Sequence, residues 1–312
     1  MNFQNLNLHP DLIKAVNRSG FKEATEIQAK SFPVIVSGSD LMASAQTGTG
    51  KTAAFSLPAI QNLMAGKRQK NGGPRILVLT PTRELAMQVK DCMEQFSKFT
   101  HFSCGLVVGG MGYGPQIKMI KRGVDVLIAT PGRLKDHMER GIVNFKNLEI
   151  LVLDEADRML DMGFIKDIRR IADATPRNRQ TLLFSATLEG QVLKVAKELM
   201  NNPERISLAA NNQRHKSIHQ LAFFADAPEH KFKLLCHQLS SDGVYQAVVF
   251  CKTKHGADKL AKKLTSQDFK CAALHGNMNQ GKRKRTLDLM RRGKVNVLVA
   301  TDVAARGLDI DG

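Results

Sequence analysis

The chain has 312 residues, a length that suggests about two domains, each large enough to bury its own core. With 43% apolar and 24% charged residues the composition is that of a folded globular protein, which excludes disorder and collagen-like repeats, and no apolar run approaches the ~20 residues of a membrane helix. Basic residues outnumber acidic ones by 46 to 29, a net charge of +17 that favours a polyanionic partner. The excess is denser toward the C-terminus: residues 208–312 hold 18 basic and 9 acidic residues, residues 1–207 hold 28 and 20. The start Met1-Asn2-Phe3-Gln4-Asn5 lacks a basic stretch followed by an apolar one, so the expectation is a cytoplasmic protein. Cys92, Cys104, Cys236, Cys251 and Cys271 form no C-x-x-C pair and read as reduced, structural thiols.

In chain order, five short apolar runs read as strands with helical stretches between them: Asp40 to Ala43, Ile76 to Leu79, Val124 to Ile128, Ile150 to Leu153 and Thr181 to Phe184. Alternating strand and helix implies an α/β fold with parallel sheets covered on both faces. Each run ends in a polar or glycine-bearing segment, and ligands of such sheets bind at the carboxyl ends of the strands, so five segments are expected to meet on one edge. Polar residues 208–218 read as a linker between a first domain, 1–207, and a second, 219–312. The second series of strands is expected at Gln220 to Phe224, Ala247 to Phe250, Cys271 to Leu274 and Val295 to Val299. Val124 to Thr130 is echoed 171 residues later by Val295 to Thr301, as either chance or two related lobes would produce.

The segment Ala45-Gln46-Thr47-Gly48-Thr49-Gly50-Lys51-Thr52 follows a strand and precedes helix formers, and fits the phosphate loop G-x-x-x-x-G-K-[ST] except at Ala45. In such a loop the glycines let backbone N–H groups close around phosphate, the lysine reaches the β and γ phosphates, and the hydroxyl of Thr52 takes a place on Mg²⁺. The plain alternative is a glycine turn with an exposed lysine. Asp154-Glu155-Ala156-Asp157 lies directly after an apolar strand, which puts two carboxylates at the same sheet edge. Asp154 is suited to hold Mg²⁺ through water and Glu155 to orient and deprotonate an attacking water, with Lys51 completing the catalytic set; an acidic helix cap is the alternative. The run Gly281-Lys282-Arg283-Lys284-Arg285 reads as a solvated helix face that could also attract nucleic acid.

The sequence resembles the bacterial-type DEAD-box ATP-dependent RNA helicases over nearly its whole length. The resemblance rests on motifs in the family's order: Phe3 and Gly20-Phe21 leading to Gln28, Ala45 to Thr52, Pro81-Thr82-Arg83-Glu84-Leu85-Ala86, Gly109-Gly110, Thr130-Pro131-Gly132-Arg133, Asp154 to Asp157, Ser185-Ala186-Thr187, His275-Gly276 with Gln280 and Arg283, and Thr301-Asp302 through Arg306-Gly307-Leu308-Asp309. It implies two RecA-like lobes of the P-loop NTPase kind, ATP and Mg²⁺ as cofactors, and RNA, single-stranded or in short duplexes, as partner to a monomeric enzyme that separates strands locally.

By the same resemblance Phe21 stacks on adenine and Gln28 reads its edge, Gly307 and Asp309 approach the ATP ribose, and Ser185 and Thr187 bond back to the acidic motif to couple ATP state to unwinding. RNA contacts fall to Pro81, Thr82, Arg83, Gly109, Gly110, Thr130, Pro131, Gly132 and Arg133 in the first lobe and to Thr253, Thr301 and Asp302 in the second. The family usually has proline where this chain has Ala24 and Glu26, which loosens the adenine loop. Its arginine-rich motif His-Arg-x-Gly-Arg-x-Gly-Arg does not follow Asp309, so the expectation is a second lobe that is C-terminally incomplete, with impaired turnover. A DNA-directed ATPase and a non-catalytic RNA clamp are the rival readings.

Overall fold

A computed structural model describes residues 2–46, 48–66, 73–208 and 219–302. The chain divides into two compact units, Met1–Asn212 and Gln213–Gly312. The expected linker, 208–218, lies outside the described residues except for Leu208.

In the first unit seven parallel strands, β1 (Leu41–Ser44), β2 (Ile76–Leu79), β3 (Cys104–Val107), β4 (Val126–Ala129), β5 (Ile150–Leu153), β6 (Gln180–Ser185) and β7 (Glu204–Ser207), form one sheet in the order β3-β4-β2-β5-β6-β1-β7. Successive side chains of a strand point to opposite faces. Ile76, Val78, Val126, Ile128, Ile150, Val152, Leu182 and Phe184 therefore enter one core with the helices Glu26–Val36, Lys51–Ala65 and Arg83–Phe96. Leu77, Leu79, Leu127, Leu151, Leu153 and Leu183 enter the other with the helices Ala156–Asp161, Ile165–Asp173 and Gly190–Leu199. Burial on both faces is why these strands read as unbroken apolar runs.

All five strands expected in this half are present, and two more, β3 and β7, were not legible. Both are edge strands: β7 is Glu-Arg-Ile-Ser and mostly exposed, and β3 contains Gly105 and is half-buried. Edge strands need charge or interruption to resist pairing with other chains, which erases the apolar signature. The start of β1 is tied down by Asp40, a buried carboxylate. Its Oδ1 accepts from the Thr181 N–H at 2.6 Å, its Oδ2 from the Asn201 N–H at 2.7 Å, and its carbonyl from the Glu204 N–H at 2.8 Å.

In the second unit β8 (Ala247–Cys251), β9 (Cys271–Leu274) and β10 (Val297–Thr301) form a parallel sheet in the order β8-β10-β9. Strand β10 starts two residues later than expected, because the Val295 N–H bonds to the Leu289 carbonyl and closes the turn after the preceding helix. The strand expected at Gln220 to Phe224 does not form. A strand exists only through a neighbour's ladder; this segment has none among the described residues, and Leu221, Phe223 and Phe224 are exposed. The two echoed segments, β4 and β10, are both interior strands flanked by parallel neighbours, and each delivers a threonine, Thr130 or Thr301, to its carboxyl end.

The five cysteines are free. Burial pushes the Cys92 thiol up to about 12 and that of Cys104 to about 11, so neither provides a thiolate near neutral pH.

Candidate active site

Because every strand of the first sheet runs the same way, its carboxyl ends share one edge: Ala45 after β1, Thr80 to Thr82 after β2, Val108 to Gly110 after β3, Thr130 after β4, Asp154 after β5 and Ala186 after β6. The expected convergence is present.

The phosphate loop leaves β1 at Ala45, whose N–H bonds to the Ser185 carbonyl at 3.2 Å. Gly48 (φ 84°) and Gly50 (φ 87°) take left-handed backbone that other residues rarely adopt. A Cβ on Gly50 would also collide with Gln28 Nε2, so glycine serves here for conformation and for close approach. Lys51 then starts the helix Lys51–Ala65, whose N-terminal dipole and free N–H groups favour an anion, and Thr52 follows in its first turn. Lys51 is mostly buried, and its Nζ donates to the Ala45 carbonyl at 2.8 Å, back across the loop. Thr49 donates to the Gln46 carbonyl at 2.8 Å. Thr47 lies outside the described residues.

Asp154 is fully enclosed and its Oδ1 has no hydrogen-bond partner. Burial and, secondarily, the neighbouring Glu155 push its pKa up to about 7, against the pull of Lys51. A buried, unpartnered carboxylate oxygen beside a hydroxyl-bearing phosphate loop fits a divalent cation shared with phosphate oxygens. Among the described residues no group of three His, Cys, Asp or Glu side chains could cage a metal without them. Glu155 sits in left-handed backbone (φ 53°, ψ 51°) at the start of the helix Ala156–Asp161, and Arg158 Nη1 donates to its Oε2 at 2.8 Å.

The connection from the acidic motif to the segment after β6 differs in detail from expectation. It runs from the Ala186 N–H to Asp157 Oδ2 at 3.2 Å, and Ser44 Oγ donates to the Ala186 carbonyl at 3.0 Å. Ser185 Oγ is buried and has no partner, and Thr187 is exposed. The backbone between the two hydroxyls makes the bond assigned to them, because the strand geometry that buries Ser185 inward leaves the next N–H facing Asp157.

Around the adenine position, Phe21 is 42% exposed and packs beside Phe3 and Phe96 with ring centroids 6.5 and 6.0 Å away. Gln28 is 4% exposed. Its Oε1 accepts from the Thr25 N–H at 2.9 Å, half of a capping box that starts the helix Glu26–Val36, and its Nε2 donates to the Gly50 carbonyl at 3.2 Å. One lone pair and one hydrogen of the carboxamide remain for a base.

A second group forms after β2, β3 and β4. The Arg83 guanidinium lies across Gly109 and Gly110, where a Cβ on Gly110 would collide with it. Thr82 caps the helix Arg83–Phe96 by accepting from the Leu85 N–H at 3.3 Å, directly after Pro81. Thr130 and Pro131 open the helix Pro131–Glu139, which carries Gly132 and Arg133 in its first turn. Arg133 Nη1 donates to the Met111 carbonyl at 2.8 Å and its guanidinium lies 4.1 Å from the centre of the Tyr113 ring. Arg140 approaches the same ring at 4.4 Å, and the Tyr113 hydroxyl donates to Asp136 at 3.0 Å. Gln116, buried, donates through Nε2 to the carbonyls of Val108, Met111 and Gly112 at 3.1 to 3.3 Å and fixes the loop. The first unit's nine residues expected to face RNA therefore lie on neighbouring strand ends. Tyr113, Gln116, Asp157 and Arg158 gained no role from sequence reasoning; a polar or aromatic side chain close to a glycine pair or acidic motif was the available signal.

In the second unit Thr253 accepts from the Gly256 N–H at 3.0 Å and caps the helix Lys254–Thr265, while Thr301 closes β10 and Asp302 follows it. His275 Nε2 lies 3.0 Å from Asp258, and Arg283 Nη1 donates to the His275 carbonyl at 3.4 Å. Gly307 and Asp309 lie outside the described residues.

Comparison with known proteins agrees with this layout. Residues 25–195 match the model of the DEAD/DEAH box helicase family and residues 230–312 that of the helicase conserved C-terminal domain. The chain is 43% identical over 310 residues to the ATP-dependent RNA helicase SrmB of Haemophilus influenzae, covering 99% of this chain and 71% of that protein. It is 42% identical to the ATP-dependent RNA helicase CshA of Listeria monocytogenes, covering 99% of this chain and 59% of that one. A solved structure of S. cerevisiae Dbp5 bound to RNA and ADP BeF3 superposes with a TM-score of 0.86 at 32% identity, over 99% of this chain and 78% of that one. With the phosphate loop, the acidic motif and the glycine-seated arginine on one sheet edge, and with both family models matched in order, the chain belongs to the DEAD/DEAH box helicases.

Proposed function

We propose that the chain is an ATP-dependent RNA-remodelling enzyme that binds ATP with Mg²⁺ and single-stranded RNA, hydrolyses the ATP and separates short duplexes locally. The observation that carries this is the pairing, at one sheet edge, of a phosphate loop whose lysine is held by a backbone carbonyl with a buried acidic pair whose Asp154 oxygen has no partner. Lys51 exchanges the Ala45 carbonyl for the β and γ phosphates, to which the first N–H groups of its helix also turn. Thr52 and Asp154 would hold Mg²⁺, which when bound neutralises charge on those phosphates. Glu155 orients the attacking water and takes its proton as the bond from the γ-phosphorus to ADP breaks. Phe21 and Gln28 hold adenine. Because Gln28 also holds the Gly50 carbonyl, a bound base is felt by the phosphate loop through one side chain.

RNA is assigned to Thr82, Arg83, Gly109, Gly110, Thr130 and Arg133, with Thr253, Thr301 and Asp302 contributed by the second unit. Such contacts to phosphate set position and carry no sequence information. The Asp157 to Ala186 bond gives the acidic motif a direct mechanical tie to the segment after β6, so coupling of ATP state to strand separation is assigned to Ser185 to Thr187 as a unit.

The test is a pair of variants. Glu155→Gln is expected to keep ATP and RNA affinity and lose hydrolysis, whereas Lys51→Ala loses nucleotide affinity itself. Equal loss of ATP affinity in both would contradict the assigned roles. Stimulation of turnover by DNA as strongly as by RNA of the same sequence would favour a DNA-directed ATPase.

A further inference from the structure

We propose that the outward face of the helix Gln280–Arg291, continued by Arg292, is a separate track for RNA phosphates; the inference rests on RNA being the partner. Residues 280–294 hold seven lysines and arginines against one acid, Asp288. The fold separates this cluster into two parts. Arg283 turns inward, is buried and donates to the His275 carbonyl, so it serves the structure of the unit. Lys282, Lys284, Arg285, Arg292 and Lys294 turn outward and are exposed.

Three of the outward cations share a stripe. Positions 281, 284, 285, 288 and 292 follow one another at helical spacing, and Gly281, Lys284, Arg285, Asp288, Leu289 and Arg292 line a cleft of about 300 Å³. None of Lys284, Arg285 and Arg292 forms an ion pair with any described residue. Elsewhere Lys30, Lys90, Lys135, Arg169 and Arg170 each hold a carboxylate at 2.6 to 3.0 Å, which the three stripe cations do not. Asp288 alone cannot neutralise three neighbours, so the cleft keeps an excess of positive charge. Like charges on adjacent turns repel, and a polyanion that threads the stripe relieves the repulsion and releases its own counterions. An apolar centre, which a protein interface would need, is lacking, since Leu289 is the only large apolar residue of the lining. A string of phosphates meets these requirements.

The experiment measures binding of a labelled polyuridylate strand by fluorescence anisotropy from about 50 to 200 mM salt. The variant Lys284→Gln/Arg285→Gln/Arg292→Gln is compared with Lys166→Gln/Lys194→Gln/Lys197→Gln, which removes three exposed charges from the first unit. Three phosphate contacts on a single strand contribute roughly 2 to the slope of log affinity against log salt, so the first variant is expected to flatten the slope by that amount and weaken binding about tenfold at low salt. The second should change little, and Lys284→Arg/Arg285→Lys/Arg292→Lys should restore the parent slope. Equal effects of the two glutamine triples would reduce the finding to net charge and overturn the track. Unchanged RNA affinity in the first triple would also overturn it and leave the face to an acidic protein partner. Failure of the parent protein to bind polyuridylate would instead overturn the functional reading on which the track rests.

Discussion

Arg158 donates from Nη1 to Oε2 of Glu155 at 2.8 Å, so the carboxylate assigned to the attacking water is held by a cation from the next turn of its own helix. Burial confines the Glu155 side chain, and the Arg158 bond sets the direction of its carboxylate. Arg158→Ala is therefore expected to lower kcat by up to about a hundredfold with KM for ATP unchanged, because misplacement of a reacting group by about 1 Å costs that much. Arg158→Lys should recover part of the loss. A rise in KM at constant kcat would show that Arg158 serves binding instead.

Asp154 makes the protein's stability depend on pH in an unusual direction. Its pKa is about 7 in the folded chain against an ordinary carboxylate value near 3.8 in the unfolded one. The folded state thus holds the proton more tightly, and the stability this contributes is complete below about pH 4 and is lost as pH rises through about 7. Asp154→Asn removes the charge and keeps the shape. Without Mg²⁺ or nucleotide, the variant should melt higher than the parent at pH 8, and the gap should narrow toward pH 5, with each kcal/mol appearing as about 2–4 °C. A gap independent of pH would place the proton elsewhere.

Gln28→Ala is expected to act twice. In the absence of nucleotide it leaves the Thr25 N–H and the Gly50 carbonyl without their bonds, at a cost of about 1–3 kcal/mol in chemical denaturation. With nucleotide it should reduce the preference for ATP over GTP, because guanine presents an oxygen where the carboxamide expects an amino group. Undiminished preference for ATP would remove Gln28 from base recognition.

Gly110→Ala places a methyl group against Arg83 in backbone at φ 76°. The left-handed conformation alone costs roughly 1–2 kcal/mol, and the guanidinium must also move. Both the melting temperature and RNA affinity are expected to fall, while ATP affinity, which depends on β1 and β5, holds. If RNA affinity were retained, Arg83 would not be a phosphate contact.

Tyr113 lies between two guanidiniums, and its variants should separate their roles. Tyr113→Phe keeps the ring and loses the bond to Asp136, a small change; Tyr113→Leu removes both cation–π contacts, each worth about 0.5–1 kcal/mol at an exposed site. Only the leucine variant is expected to weaken RNA binding appreciably, through Arg133. Equal binding by the two variants would show that the ring does not orient Arg133.

The residues legible in the sequence were those whose chemistry demands unusual types at fixed spacing. Gly48 and Gly50 need positive φ, and Asp154 with Glu155 puts charge directly after a fully apolar strand, so both motifs stand out from packing. The interior strands were legible because burial on two faces leaves only apolar residues. Edge strands β3 and β7 were hidden by the half-exposure that protects them, and Gln220 to Phe224 shows the converse, a strand-like composition without a ladder. Contacts such as Gln28 to Gly50 and Arg133 to Tyr113 join residues distant in the chain, and composition carries no trace of which pairs the fold brings together.

The clasp at Asp40 also sets a schedule for synthesis. The strand that carries the phosphate loop leaves the ribosome early, yet the backbone donors that hold its first residue, those of Thr181 and Asn201, follow 141 and 161 residues later. At roughly 5–20 residues per second the nascent chain waits about 10–30 s before β1 can take its place between β6 and β7. Until β6 has emerged Leu41, Met42 and Ala43 lack both neighbours, and until β7 follows they lack one, so the loop has no complete floor for ATP to bind against. Nascent chains arrested before Asn201 should accordingly be sensitive to protease on both sides of β1 and indifferent to added nucleotide, and protection should arise once the chain through β7, ending at Ser207, has emerged.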